Sequence, residues 1–484
     1  MRGRVGLLFC LAVVSAVSFW TIEPQLHRDF PSLVDDWSAI QKAPEQLRDI
    51  VRLGNPESVR YRPGFIMWNA LQWHTLGAPT HFLAAELWGF ARWAVLIVGV
   101  TLLAALLVGR PDRLRDRRWL VIVGVPLMAV TVPSIAVDIA RYGPQEVLLV
   151  GCMALGVALL VRTVARLLDP GPADTRVLLA VGAGLVLWAF GVLQKETSIC
   201  ALLLIPFLWP TLKQQGARWG LLPRGRRLGL EALAAAILLP FVPMVARTVQ
   251  LALADKRVYE DAAAGRSLAT RFSDQLSQAG EILHSQLPMV VFVAAVVLVG
   301  AVTFRFGVDW LSIGLLVVAV AFVAAAADVG VVDSRYFLPS ITLGALVFAR
   351  SAVRLGSTIV IVAGILLIGG GLVQAHSAHG RTVGWVDGEV AGEALVREAA
   401  GRAAGGCAVA VVGRNVEFVQ AFPVLLPLAD EPPHGCADGE RYVVVLDRQA
   451  PGSTPPDDPV LAACGPDPNL AFDSSQGYIA RCTK

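Results

Sequence analysis

The sequence predicts an all-α polytopic membrane protein with about eleven transmembrane helices and a small C-terminal α/β domain outside the cytoplasm. Hydrophobic residues make up 55% of the 484-residue chain and charged residues only 16%, against roughly 25% charged residues in soluble domains. The mean hydropathy is +0.61. Hydrophobic runs long enough to cross a hydrocarbon core of about 30 Å recur along most of the chain. A hydrophilic tail follows them.

Eleven hydrophobic runs form the predicted transmembrane helices, and the runs at 197–212 and 336–350 are short. The first run follows a basic start, as the core of a cleaved signal peptide would. Phe19 and Trp20 stand where the small residues of a cleavage site are expected, so we predict that this run is retained as a helix. The runs lie near residues 5–21, 82–108, 119–137, 144–161, 177–194, 197–212, 228–249, 288–304, 310–328, 336–350 and 357–374.

Basic residues between the runs predict the orientation of the chain, because cytoplasmic loops of membrane proteins carry an excess of lysine and arginine. Every second loop is basic here. This alternation predicts a cytoplasmic N-terminus and, after an odd number of spans, a C-terminal region on the other side of the plasma (inner) membrane. The basic loops contain Arg2 and Arg4; Arg110, Arg113, Arg115, Arg117 and Arg118; Arg162, Arg166 and Arg176; Lys213, Arg218, Arg224, Arg226 and Arg227; Arg305; and Arg350 and Arg354.

Two domains are predicted, a transmembrane domain over residues 1–375 and an extracytoplasmic α/β domain over residues 376–484. In the second domain, the apolar segments 408–413 and 442–447 have the length and composition of buried strands. The segment 389–403 has the pattern of a helix.

The four cysteines of the tail predict disulfide bonds with the pairing left open. An even number of cysteines in a segment outside the cytoplasm suits an oxidising compartment. Zinc is the weaker alternative, because no two of these cysteines have the short spacing of a zinc site. The tail cysteines are Cys407, Cys436, Cys464 and Cys482.

Polar residues cluster at four places on the predicted outer face, where the external loops 22–81 and 250–287 also lie. Ionisable side chains held near membrane depth are costly, so they mark functional sites by default. A purely structural explanation also exists, in which Lys195 and Glu196 neutralise a turn and Arg335 pairs with Asp333. The four clusters are the acid pair Asp35 and Asp36; Asp138, Arg141 and Glu146; Lys195 and Glu196; and Asp333, Arg335 and Tyr336.

These residue types suit group transfer from a lipid phosphate. A carboxylate in a partly desolvated pocket can act as a general base that activates a hydroxyl group. Cationic side chains nearby can bind a phosphate leaving group and stabilise the charge that develops on it. A polyprenyl tail would remain in the bilayer while the head group reaches the loops. The candidate phosphate-binding cations are Arg62, Arg141, Lys195 and Arg335.

Four short motifs resemble those of the GT-C superfamily of integral membrane glycosyltransferases, which includes protein O-mannosyltransferases and lipid A aminoarabinose transferases. The V-D-D-W stretch at 34–37 resembles the acidic motif that follows the first span. The R-Y-R-P stretch at 60–63, the Q-K-E-T stretch at 194–197 and the D-S-R-Y-F-L-P stretch at 333–339 resemble later motifs in the same order. The resemblance covers roughly residues 1–350, and the tail lies outside it.

The resemblance implies inverting transfer of a sugar from a polyprenyl-phosphate donor, with the carboxylate of loop one as the base. Asp35 is the first choice for that base and Asp36 the second, since several relatives have Asp-Glu where this chain has Asp-Asp. Some relatives use a divalent metal, but clustered carboxylates are too few here to predict one, so we expect no cofactor. Further site candidates are Arg60, Tyr61, Asp138, Glu146, Glu196 and Tyr336.

We therefore predict a membrane glycosyltransferase of cell-envelope biosynthesis that acts on a glycan, lipid or protein acceptor. The high content of Ala, Val, Arg and Gly is typical of high-GC bacteria such as actinobacteria. A transporter or flippase of lipid-linked sugars is the alternative, but it predicts polar residues deep within the spans and internal symmetry. A third possibility is a non-catalytic scaffold whose function resides in the tail. It predicts that Asp35 and Asp36 are dispensable. No basic-aromatic pattern indicates a nucleic acid partner.

Overall fold

The computed structural model describes most of the chain, with gaps at several loops. The acid pair Asp35 and Asp36, together with Arg60, Tyr61, Arg141, Asp333, Cys436 and Cys464, lies outside the described residues, as does most of the external segment 250–287. The described residues are 2–27, 62–76, 82–111, 113–138, 145–168, 175–214, 224–253, 288–328, 334–412, 422, 426, 429, 431–435, 440–446 and 469–482.

Helices dominate the described part of the chain. Three described segments are 3-10 helices that precede or follow α-helices: Glu23–His27, Glu196–Leu204 and Ser334–Phe337. The α-helices are α1 (Arg2–Ile22), α2 (Pro63–Leu76), α3 (Phe82–Val108), α4 (Arg118–Val130), α5 (Pro133–Asp138), α6 (Glu146–Leu168), α7 (Thr175–Val192), α8 (Ile205–Gln214), α9 (Arg224–Leu238), α10 (Phe241–Leu253), α11 (Pro288–Phe306), α12 (Trp310–Asp328), α13 (Leu338–Leu355) and α14 (Ser357–Ala404).

The predicted spans all correspond to helices. Within the described residues, eight helical segments are long and apolar enough to cross a membrane, one of them formed by α9 and α10 together (Arg227–Gln250). Three shorter apolar segments lie at the other three predicted spans. The shorter ones are Arg118–Val130, Glu196–Thr211 and Trp310–Ala325. The prediction of a helical, multi-pass membrane protein is therefore confirmed.

Proline explains why two predicted single spans are each divided into two helices. The run at 119–137 breaks after Val130, just ahead of Pro133, and the run at 228–249 breaks after Leu238, ahead of Pro240. Proline lacks a backbone N–H and restricts the residue before it to extended conformations, so a helix commonly ends there. These breaks matter for the site, because the second half of the first pair, α5, lies beside it.

The core of the membrane domain is built from α1, α3, α4, α6, α11, α12, α13 and α14. Small residues permit the closest approaches between these helices, as is usual within a bilayer. At the contact between α3 and α6, a Cβ atom at Gly151 would lie 2.8 Å from the backbone nitrogen and Cα of Leu96. The backbone of α3 leaves no room there for a side chain.

We expect Gly151→Ala to destabilise the membrane domain by about 1–3 kcal/mol, the usual cost of overpacking a filled core. The reason is that the clash is with helix backbone, which yields less readily than a side chain. Thermal unfolding in detergent measures the effect. Gly300→Ala in α11 is the matched control, because nothing lies within 4 Å of its Cβ position. An equal melting temperature for the two variants would contradict this packing.

A buried carboxylate ties three helices together at the end predicted to be cytoplasmic. Asp309 lies 3.3 Å from the guanidinium of Arg350 and 2.7 Å from that of Arg354, both near the end of α13. Ser312 donates a hydrogen bond to it, and Arg350 also donates one to the Leu107 carbonyl at the end of α3. Burial raises the pKa of Asp309, but the charge of Arg350 and these hydrogen bonds outweigh it and lower the pKa below its ordinary range.

A single 48-residue helix, α14, joins the membrane domain to the tail. We predicted a span at 357–374 and a separate helix at 389–403. The structure has one helix instead. No proline interrupts the segment, and burial of its C-terminal part against the sheet offsets the helix-disfavouring Gly380, Gly384 and Gly388. The predicted domain boundary at 375/376 falls inside this helix.

The tail contains a mixed four-stranded sheet of order β1-β2-β4-β3 packed on the end of α14. β1 (Ala408–Val412) and β2 (Arg441–Val445) are the two predicted strands and pair in parallel. β3 (Asn469–Ser474) and β4 (Gly477–Cys482) form an antiparallel hairpin that the sequence analysis did not predict. The prediction of an α/β domain is confirmed.

The described cysteines of the tail take part in disulfide bonds. Cys407, just before β1, and Cys482, at the end of β4, are both disulfide-bonded. In contrast, Cys10, Cys152 and Cys200 in the membrane domain are free thiols. Cys436 and Cys464 lie outside the described residues, so the use of all four tail cysteines in disulfides stays a prediction.

Candidate functional site

A buried ion pair lies at the centre of the candidate site. Glu146 is the first residue of α6, where a carboxylate is favoured by the helix dipole, and Lys195 precedes the 3-10 helix Glu196–Leu204. The Lys195 ammonium donates a hydrogen bond to the Glu146 carboxylate, and each side chain is only 6% exposed. The backbone N–H of Gln145 donates to the same carboxylate at 3.1 Å. Two residues 49 positions apart are therefore joined out of contact with solvent.

The ring of Tyr336, from the D-S-R-Y-F-L-P stretch, contacts this ion pair. The Lys195 ammonium lies 3.9 Å from the centre of the ring and the Arg335 guanidinium lies 5.1 Å from it, so both cations interact with its π face. Pro339, the second residue of α13, follows this ring and favours the start of that helix. A small pocket opens between these elements and is lined by Glu146, Leu149, Lys195, Thr197, Phe322, Tyr336 and Pro339.

The R-Y-R-P motif docks on the same segment. The Arg62 guanidinium lies 2.9 Å from the Glu196 carboxylate, with both side chains largely shielded from solvent. Two residues further on, the backbone N–H of Gly64 donates a 2.8 Å hydrogen bond to the Leu193 carbonyl. These two contacts hold the start of α2 against the turn that carries Lys195.

We expect Gly64→Ala to lower any activity of the site by about tenfold or more, because small displacements of positioned groups have large kinetic effects. A Cβ atom at Gly64 would lie 2.8 Å from the Phe190 carbonyl oxygen and 2.9 Å from the Leu193 carbonyl carbon. The start of α2 would have to move, and Arg62 with it. Turnover at saturating substrate measures the effect.

The matched control for that variant is Gly182→Ala in α7, where a Cβ atom meets nothing within 4 Å. It makes the same chemical change on the helix against which Gly64 packs. Loss of activity in both variants would show that the docking of the R-Y-R-P motif is not the cause.

The structure thus joins six predicted site residues into one network: Arg62, Glu146, Lys195, Glu196, Arg335 and Tyr336. It corrects the structural explanation in which Lys195 and Glu196 neutralise each other, because each pairs with a partner from another segment. Of Asp138 the structure describes only the backbone, at the end of α5. Gly64 is the residue that sequence reasoning missed, although a glycine directly after the R-Y-R-P motif signals close backbone approach.

The start of the loop that contains the acid pair lies beside this network. Gln25, in the 3-10 helix Glu23–His27, donates hydrogen bonds to the carbonyls of Ala136 and Val137 in α5. α5 in turn contacts the 3-10 helix that carries Arg335 and Tyr336. Asp35 is eight residues beyond His27. Even a fully extended chain of that length spans at most roughly 28 Å.

Comparison with known proteins gives the class of fold. No family model matches the sequence, and no curated protein matches it either. Two crystal structures of ArnT from Cupriavidus metallidurans are similar. The one bound to undecaprenyl phosphate gives a TM-score of 0.51 at 12% identity, covering 98% of each chain. The apo form gives 0.50 at 13% identity, covering 98% of this chain and 97% of the other.

A third similar structure is the apo form of the Archaeoglobus fulgidus oligosaccharyltransferase. Its TM-score is 0.51 at 12% identity, and the match covers 88% of this chain and 64% of the archaeal one. ArnT and the oligosaccharyltransferase are both members of the GT-C superfamily. The chain therefore shares the fold of these structures, which is the GT-C fold that its motifs predicted. At 12–13% identity the similarity establishes the fold alone.

Proposed function

We propose that this chain is a membrane glycosyltransferase that uses a polyprenyl-phosphate sugar as donor and a glycan, lipid or protein of the cell envelope as acceptor. One observation carries the proposal. Three motifs far apart in sequence converge, within a GT-C fold, on a cationic cluster beside a small pocket at the ends of apolar helices. Undecaprenyl phosphate bound to the similar ArnT structure supports the choice of donor.

The donor phosphate would bind at the cationic cluster of Arg62, Lys195 and Arg335, with Arg141 as a further candidate. Arginine and lysine form charge-assisted hydrogen bonds with phosphate oxygens, and these strengthen as negative charge develops on the leaving group. The apolar helices α12 and α13, which flank Tyr336, offer the polyprenyl chain a path into the bilayer. A phosphate at this position places the scissile sugar–phosphate bond at the membrane boundary.

In the proposed transfer, Asp35 removes the proton from an acceptor hydroxyl group, and Asp36 is the alternative base. The hydroxyl oxygen forms a new bond to the anomeric carbon as the bond from that carbon to the phosphate oxygen breaks. The electron pair of the broken bond stays with the phosphate, which leaves as polyprenyl phosphate. Attack from the face opposite the leaving group inverts the anomeric configuration.

The loops that carry this chemistry would face away from the cytoplasm in the plasma (inner) membrane. The support is the alternation of arginine-rich loops along the sequence. The disulfide-bonded Cys407 and Cys482 in the tail fit the same orientation, since disulfides persist in oxidising compartments.

The test is turnover of a panel of radiolabelled polyprenyl-phosphate sugars by purified protein, beside an Asp35→Asn and Asp36→Asn double variant. We expect wild type to release polyprenyl phosphate from one donor of the panel and the double variant to release none. That result also names the sugar. Binding of a donor that survives the double substitution, with no release by wild type, would instead identify a transporter of lipid-linked sugars.

A further inference from the structure

We propose that the four tail cysteines form two disulfide bonds between consecutive cysteines, Cys407 with Cys436 and Cys464 with Cys482. Cys407 and Cys482 are both disulfide-bonded, whereas Cys436 and Cys464 lie outside the described residues. The tail sheet and the segments around it support this pairing, which does not depend on the proposed sugar transfer.

Cys407 and Cys482 are too far apart to be bonded to each other. In the tail sheet, Ala408 of β1 lies opposite Arg441 of β2, and Arg441 lies opposite Cys482 of β4. Neighbouring strands are about 4.8 Å apart, so Cys407, directly before Ala408, is roughly 9–10 Å from Cys482. The Cα atoms of a disulfide are separated by about 4.4–6.8 Å. Each of the two cysteines is therefore bonded to another cysteine.

Two cysteines remain as partners within the chain. Of its seven cysteines, the three in the membrane domain are free thiols, which leaves Cys436 and Cys464. In the consecutive arrangement, Cys407 is bonded to Cys436, and Cys464 is bonded to Cys482. In the crossed arrangement, Cys407 is bonded to Cys464, and Cys436 is bonded to Cys482.

The two described cysteines pack on opposite faces of the sheet. Cys407 lies on the face that α14 covers, in a cluster with Leu395 and Ala399 of that helix. Cys482 lies on the other face, in a cluster with Val443 and Ala480. Successive side chains of a strand point to opposite faces, so the partner of each cysteine has to approach from a different face.

The segment that leads to Cys436 is held on the α14 face. Phe422 and Ala429 belong to the same cluster as Cys407. Further along the segment, the Glu431 carboxylate lies 2.7 Å from the guanidinium of Arg397 on α14. The chain between β1 and β2 therefore runs along the face on which Cys407 is buried.

Hydrogen bonds at the end of α14 bring this segment next to Cys407. The backbone N–H of His434 donates to the Gly401 carbonyl at 2.7 Å, and that of Cys407 donates to the next carbonyl, of Arg402, at 3.0 Å. Cys436 follows two residues after His434, which is at most roughly 7 Å of chain. Cys436 is therefore within reach of Cys407.

The segment that leads to β3 brings Cys464 towards Cys482. Asn469, the first residue of β3, lies opposite Arg481, the chain neighbour of Cys482. β3 lies on the side of β4 away from β1, so Asn469 is three strand spacings from the strand that follows Cys407. Cys464 is five residues before Asn469. Its segment therefore enters the sheet beside Cys482.

Formation of these bonds requires an oxidant outside the cytoplasm, which by its chemical class is a protein disulfide. A thiolate of the tail attacks that disulfide and forms a mixed disulfide with it. The thiolate of the second tail cysteine then displaces the oxidant. For each bond, two electrons and two protons pass from the tail thiols to the oxidant, which leaves as a dithiol.

The experiment is peptide mapping of the full-length protein without reduction. Free thiols are alkylated before cell lysis, which prevents disulfide exchange, and the purified protein is digested with trypsin and analysed by mass spectrometry. Each tail cysteine falls on its own tryptic peptide, because arginines separate all four. We expect peptide 403–414 joined to 415–441, and peptide 449–481 joined to 482–484.

The crossed products would overturn the proposal. They are peptide 403–414 joined to 449–481 and peptide 415–441 joined to 482–484. Alkylated Cys436 or Cys464 in wild type, or a disulfide-linked dimer on a non-reducing gel, would overturn it as well. The wild-type map needs no variant, so it remains decisive if a cysteine variant does not fold.

A variant gives an independent readout. Cys407→Ser should leave the thiol of Cys436 free, so that alkylation appears on peptide 415–441, while the bond between 449–481 and 482–484 persists. Cys200→Ser is the matched control, because it replaces a free thiol of the membrane domain and should expose no new thiol. New alkylation of Cys464 rather than Cys436 in Cys407→Ser would contradict the consecutive pairing.

Discussion

Replacing Asp35 with asparagine is expected to lower sugar transfer by about 10²-fold to 10⁴-fold, the usual contribution of a general base. The substitution preserves the size of the side chain and removes only its ability to accept a proton. The protein should stay folded and bind donor with nearly unchanged affinity, because the donor phosphate would contact the cationic cluster instead. Release of polyprenyl phosphate, donor affinity and the melting temperature together measure this combination.

Asp36→Asn should have the smaller effect of the two, since Asp35 occupies the first position of the acidic motif. Asp473→Asn is the matched control, because Asp473 is an exposed aspartate of β3 in the tail. Full activity in both Asp35→Asn and Asp36→Asn would eliminate the mechanism proposed here. A loss of donor affinity equal to the loss of turnover would indicate that the acid pair binds rather than reacts.

Breaking the buried ion pair is expected to give the largest combined effect on stability and binding. Lys195→Met leaves the Glu146 carboxylate buried without its counter-ion, which typically costs about 3–5 kcal/mol. The same substitution removes a cation that would bind the donor phosphate. We therefore expect a lower melting temperature, reduced yield and loss of detectable donor binding.

A double variant, Lys195→Met with Glu146→Gln, separates the two effects. A neutral pair of similar volume restores most of the stability, because no unpaired charge remains buried, and the glutamine can still accept a hydrogen bond from the backbone N–H of Gln145. Donor binding should not return. Recovery of binding together with stability would mean that Lys195 is only structural.

An exposed ion pair is the control for that comparison. Arg227 and Glu231 form an (i, i+4) pair on α9 with side chains 58% and 53% exposed. Arg227→Met should cost less than about 1 kcal/mol, because solvent screens the pair. Both Lys195→Met and Arg227→Met remove one positive charge. A difference in their melting temperatures therefore measures the effect of burial rather than the loss of the charge.

The sequence alone determined the membrane fold class, the approximate positions of the spans and the candidate residues of the site. These features are local: the hydrophobic length of a span and the order of short motifs can be seen within a few tens of residues. The helix breaks before Pro133 and Pro240 are also local features that the sequence determines, although we did not predict them. The strand at 408–413 could likewise be predicted, because a continuous apolar run is a local feature of the sequence.

Only the tertiary structure decided which charged residues meet. Lys195 pairs with Glu146 and Glu196 pairs with Arg62, across 49 and 134 positions, rather than with each other. Helix packing decides such pairs, because the energy of an ion pair depends on distance and burial, neither of which is encoded in sequence spacing. The hairpin of β3 and β4 likewise depends on a partner strand and on the end of α14. The continuity of α14 is set in the same way, since its C-terminal half is stabilised by burial against that sheet.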